Sequence, residues 1–188
     1  MCSSSYQIQK ADRSMPLPPE ILRARLRNEI QACHRQLKHH VQVSDAELSR
    51  FPVIINVALL RTPGPVWADD RIATRYVHNL RIIITEDYPY EKPIVKWQTP
   101  IFHPNIMEPK DGGYVCTKLL EKWDFRSTLA TFIVGLEVML ANPNPDSPFG
   151  SDSCTRAAEY FRTNHYRPPI ISGNKIPPKI VGDVNDRS

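Results

Sequence analysis

From residue 19 onward, apolar side chains recur every three or four positions: Leu22, Leu26, Ile30, Cys33 and Leu37. That spacing predicts an amphipathic helix, opened by Pro19, whose missing N–H costs nothing at a first turn. Arg23, Arg27, Arg35 and Lys38 fall on the opposite face. Cys33 lies on the apolar stripe and reads as a small buried hydrophobe. The period then changes. Runs rich in β-branched residues at 53–60, 75–84 and 94–98 predict antiparallel strands of a meander, the first two joined through Pro63-Gly64-Pro65 and Asp69-Asp70.

Between 98 and 129 the pattern dissolves into proline, glycine and charge. A loop of that length in a compact domain is usually functional or disordered. Helical spacing returns with Leu129, Phe132, Ile133, Leu136 and Leu140, behind Ser127 or Thr128 as a cap and ahead of Asn142-Pro143 as a stop. A shorter helix is expected over 153–166, with Cys154, Ala157, Ala158 and Phe161 on one side, and Pro168-Pro169 ends regular structure. The chain thus reads as one α+β core over 17–166, with a polar extension at 1–16 and a tail at 167–188 expected to be mobile.

Composition narrows the class. A chain of 188 residues, 41% hydrophobic, can bury a sizeable core. It has no run of about 18 apolar residues and no secretory leader pattern, so an intracellular, cytoplasmic protein away from membranes is expected. Four scattered cysteines (Cys2, Cys33, Cys116 and Cys154) make neither a disulfide framework nor a zinc spacing. A formal charge of +4, without an aromatic-plus-arginine ladder, gives no reason to expect nucleic acid.

Cys116 is the centre of the candidate chemistry. It follows Gly112-Gly113 in the irregular region, where no strand or helix period assigns it to a core. The bland alternative is a small packed residue. Upstream stands His103-Pro104-Asn105; downstream come Trp123 and the rigid stretch Asn142-Pro-Asn-Pro-Asp-Ser-Pro148. A Cys-His-Asn hydrolase would draw its base and orienting residue from distant chain segments, whereas this His and Asn are separated by a single proline.

Read in order, Tyr88-Pro-Tyr-Glu-Lys-Pro93, Ile101-Phe-His-Pro-Asn-Ile106, Cys116, Trp123 and Pro143-Asn-Pro-Asp-Ser-Pro148 resemble the core of the ubiquitin-conjugating enzymes, over roughly residues 20–166. The resemblance implies that fold: an N-terminal helix, a four-stranded antiparallel meander sheet, a long active-site loop and C-terminal helices. It implies that Cys116 carries ubiquitin or a ubiquitin-like modifier as a thioester received from an activating enzyme. Its sulfur should then be open to solvent, and the modifier should pass, with a RING-type or related ligase, to a lysine of a substrate protein. No metal or cofactor is implied, since ATP is spent upstream.

The same resemblance gives Asn105 an oxyanion-stabilising role, beside the plain reading of an Asn that holds its own turn together. It makes His103 and Pro104 scaffolding. Asp146 and Ser147 border the groove at the place where relatives often carry an acid, and modification of Ser147 would restore negative charge. Arg23, Arg25 and Arg27 match a basic first helix that meets the activating enzyme and ligases. Tyr90 matches a ligase-docking aromatic, and Phe125 and Arg126 replace the Ser-Pro-Ala common in that loop. Lys118 stands where an acid is frequent, and the Asn105-to-Cys116 loop is longer than usual. Two competing readings stay open: a catalytically inactive relative serving as a binding module, and a thiol hydrolase.

Overall fold

In a computed structural model of the chain, residues 16–117 and 123–168 are described. Nearly all of the expected N-terminal extension, the tail from 169, Cys2 and Lys118 lie outside them. Helix α1 runs Pro19–Gln36 with proline at its first turn, and Leu22, Leu26, Ile30 and Cys33 are buried along it. Strands follow as β1 (Val41–Val43), β2 (Val53–Leu59), β3 (Gly64–Ala68), β4 (Arg71–Arg75), β5 (His78–Ile84) and β6 (Ile94–Trp97). Helices α2 (Leu129–Ala141) and α3 (Asp152–Thr163) complete the core.

The main sheet is antiparallel, in the order β1-β2-β5-β6. Strict alternation puts Val53, Ile55, Val57 and Leu59 of β2 and Leu80, Ile82 and Ile84 of β5 on the covered face. There they join the α1 stripe and Leu129, Phe132, Ile133, Leu136 and Leu140 of α2 in one core. Each such side chain stabilises the fold by about 1.5–3 kcal/mol relative to exposure. Thr128 caps α2, as its position suggests, and exchanges side-chain bonds with Thr131 in a capping box.

Two readings need correction. Residues 61–77 are not a plain connection. Asp69 (φ 50°) and Asp70 (φ 56°) occupy left-handed conformations at a two-residue turn, which pairs β3 with β4 as a separate hairpin. The run 75–84 is therefore interrupted: Arg75 closes the hairpin and β5 begins only at His78. The third helix stops at Thr163, short of 166, because Asn164 leaves helical geometry (φ −123°, ψ 92°). Its side chain bonds back to the Tyr160 carbonyl at 3.1 Å, the local competition that makes asparagine a poor helix interior.

Candidate active site

The long loop is ordered by main-chain bridges. His103 pairs with Ile106, Ile106 with Val115, and Tyr114 with Lys96 of β6. The glycine pair makes this possible. Gly112 (φ 107°) ends a 3-10 turn over Pro109–Asp111, and Gly113 (φ 66°) lies against β6, where a Cβ would sit 2.3 Å from the Trp97 carbonyl oxygen. Only glycine combines that backbone with that approach. The chain then returns so that the Cys116 N–H donates to the Asn105 carbonyl at 2.9 Å. Eleven residues of sequence separation thus close into direct contact.

His103, 1% exposed, accepts the Asn105 N–H on Nδ1 (3.0 Å) and donates from Nε2 to the Met139 carbonyl (3.1 Å). Burial pushes its pKa down to about 3, so the ring is neutral at physiological pH. Both nitrogens are spent on main chain, so His103 is not free to act as the base that a Cys-His-Asn hydrolase would require. Pro104 accepts the Phe149 N–H at 2.8 Å.

Asn105 is wholly buried. Its Nδ2 donates to the carbonyls of Asn144 (3.1 Å) and Ser147 (2.9 Å), and its Oδ1 accepts the Asn144 N–H (2.9 Å). The amide clips the 142–148 stretch onto the turn beside Cys116. Both of its protons are used, so an oxyanion would have to take one from a carbonyl. Asp146 on that stretch is exposed, with its N–H on the Asn144 side-chain oxygen, and Ser147 is half-buried.

Cys116 departs from expectation: it is 2% exposed rather than open to solvent. Its segment is pinned on both sides, by the Asn105 carbonyl and by Lys92, whose Nζ donates to the Thr117 carbonyl at 2.8 Å. Cys33, Cys116 and Cys154 form no disulfide. Burial raises the thiols of Cys33 and Cys154 to about 11, which makes them poor nucleophiles. Among the described residues no group of three or more His, Cys, Asp or Glu side chains is placed to hold a metal ion. Nor is any helix there long and apolar enough to cross a membrane.

A second cluster forms where α1 meets the loops before β6 and α2. Tyr90 and Phe125, 39% and 47% exposed, lie with ring centroids 5.5 Å apart. Arg25 stands 4.9 Å from the Phe125 ring and donates to the carbonyls of Phe125 (2.8 Å) and Ser127 (2.9 Å). Trp123 is packed beneath, its indole N–H on the Pro89 carbonyl at 2.7 Å. Arg126 is exposed and pairs with Asp124 at 3.0 Å. Arg23 goes elsewhere, to the Leu48 carbonyl at 3.0 Å, while Arg27 is exposed. The sequence reading missed Glu29, a carboxylate 8% exposed on the buried side of α1. The signal was available: seven residues beyond Leu22, Glu29 falls on the apolar stripe, where an unpaired acid is not tolerated.

A sheet of this order between an N-terminal and two C-terminal helices, with a cysteine docked on a His-Pro-Asn turn, defines the class. The family described as ubiquitin-conjugating enzyme matches residues 25–167, and the chain belongs to it. Its sequence is 37% identical over 81 residues to mouse ubiquitin-conjugating enzyme E2 T, covering 40% of this chain and 38% of that protein. It is 33% identical over 86 residues to ubiquitin-conjugating enzyme E2 N of Macaca fascicularis, covering 45% and 52%. The chain therefore spans about two fifths to one half of the curated relatives it matches. Among solved structures, S. cerevisiae Ubc12 superposes with a TM-score of 0.53 at 25% identity, over 74% of each chain.

Proposed function

We propose that this protein is a working carrier of ubiquitin or a ubiquitin-like modifier, in the cytoplasm. In this reading the Cys116 thiolate attacks the thioester carbonyl on an activating enzyme and expels that enzyme's thiolate. A substrate lysine amine then attacks the new thioester, the Cys116 thiolate leaves, and the amine's proton goes to an acceptor at the groove. The first step exchanges one thioester for another and is nearly isoenergetic. The second is harder, because a neutral lysine at pH 7 costs about 4–5 kcal/mol. The exposed Asp146 carboxylate, on the stretch clipped to Asn105, is the candidate acceptor. Asn105 contributes first by holding that stretch in register with Cys116. Arg25, Tyr90, Phe125 and Arg126 form the surface for a RING-type or related ligase, and Arg23 and Arg27 add positive charge to α1 toward the activating enzyme.

The observation that carries this reading is the 2.9 Å bond from the Cys116 N–H to the Asn105 carbonyl, within a chain that belongs to the family. One observation favours a second reading. A cysteine 2% exposed suits an inactive relative that binds partners through the same fold. Incubation with activating enzyme, modifier and ATP, followed by a non-reducing gel, separates the two. A thiol-sensitive adduct that disappears in Cys116→Ala supports the carrier. Failure to load across a panel of activating enzyme and modifier pairs supports the module, and cleavage of a modifier conjugate without ATP would restore the hydrolase.

A further inference from the structure

Glu29 is shared by more elements than any one contact needs. Its Oε1 accepts from Arg25 Nε at 2.7 Å. Its Oε2 accepts from the Tyr88 hydroxyl at 2.5 Å and from the Leu129 N–H at 2.8 Å. One carboxylate on α1 therefore holds Arg25 one turn back on its own helix, the loop that carries Tyr90, and the first residue of α2. Each partner leads directly to an exposed docking group. Tyr88 lies two residues before Tyr90, in a loop whose Pro89 carbonyl holds Trp123. Leu129 follows the 123–128 loop that carries Phe125, and Arg25 reaches from Glu29 to the carbonyls of Phe125 and Ser127.

All three partners of this side chain are donors. A helix N-terminus and a guanidinium both stabilise negative charge, and charge-assisted bonds are about twice as strong as neutral ones. Burial, with Glu29 as the next cause, pushes the Tyr88 hydroxyl far above its ordinary pKa, so it remains a donor. Unpaired, a carboxylate at this depth would be costly; with three donors it joins otherwise independent pieces. From this we infer that Glu29 is a positioning residue for partner docking: it sets the relative placement of Tyr90, Phe125 and Arg25 without itself touching a partner. The inference rests on the reading of that cluster as a ligase surface.

Two measurements test it. The first needs no partner. Hydrogen exchange at the Glu91, Ser127 and Leu129 amides should accelerate at least tenfold in Glu29→Gln, which keeps the shape but loses the charge. Ile55→Val, a core change in β2 away from the cluster, provides a control for general loosening and should leave those amides near wild type. The second uses the RING domain that best discharges the loaded wild-type protein from a panel. The ratio of RING-stimulated to unstimulated discharge should fall about tenfold in Glu29→Gln and about threefold in Tyr88→Phe, and stay at the wild-type value in Ile55→Val. Wild-type exchange at all three amides in Glu29→Gln, or equal losses in Ile55→Val, overturns the inference. Altered exchange with an unchanged discharge ratio also overturns it, because positioning without consequence is only structure. If the wild type never loads, the carrier reading fails instead, and the exchange experiment still decides whether Glu29 couples the three elements.

Discussion

The two candidate sites of this molecule are built in opposite ways. Around Cys116, two of the polar candidates are buried and bonded to main chain: His103 to Met139 and Asn105, and Asn105 to the 142–148 stretch. Around Tyr90, the candidate groups are exposed aromatics, and the buried polar work falls to Glu29 behind them. At the first end the side chains serve the backbone, fixing the turn beside Cys116. At the second, the proposed docking surface, the backbone serves the side chains. Side-chain chemistry alone would misjudge both, since the asparagine is committed inward and the key acid is out of sight.

Experiments that break this comparison begin with the largest effect. Cys116→Ala should abolish the thiol-sensitive adduct completely; any residual adduct on another cysteine would remove the first end from the comparison. Asn105→Ala leaves the Asn144 N–H and the carbonyls of Asn144 and Ser147 without their buried partner. It should cost at least about 3 kcal/mol in chemical denaturation, at about 1–3 kcal/mol for each of the three orphaned groups. Discharge to free lysine should also slow about 10²-fold. Loss of stability with normal discharge would reduce Asn105 to a clip alone.

Acid sharpens the same contrast. His103 and His78 are held neutral by burial, at about 3 and about 4 against 6.5 in an unfolded chain. Below pH 6.5 the unfolded state takes up protons that the folded state refuses, so stability present above that pH is lost progressively, down to about pH 4 for His78 and about pH 3 for His103. At pH 5 the loss is about 2 kcal/mol for each ring. Burial raises the Glu137 carboxyl, which works in the opposite direction as it titrates and trims the total. Denaturation midpoints flat from pH 7 to 5 would show that these rings are not buried neutral.

The docking end gives the smallest predicted changes in folding. Tyr90→Ala should weaken RING binding by about 2 kcal/mol, roughly 30-fold. Its stability should shift by no more than about 0.5 kcal/mol, because Tyr90 is 39% exposed. A large stability loss with little change in binding would erase the distinction between the two ends.

Helical periodicity placed α1, α2 and most of α3, and runs of β-branched residues placed three of the four sheet strands, because both signals are local properties of the chain. The His-Pro-Asn turn and the glycine pair before Cys116 were also visible, since each depends on what a residue type can do with its own backbone, whereas the aromatics at 90 and 125 came only from the family resemblance. Short-range pattern did not show β1, whose three residues are too few for a period, nor the β3–β4 hairpin, whose turn uses Asp69-Asp70 without glycine. The destination of the Asn105 amide, the depth of Cys116 and the convergence on Glu29 were decided by the tertiary structure. Those facts depend on partners 11 to 100 residues away in the chain, and packing alone determines which donor reaches which acceptor once water has been excluded.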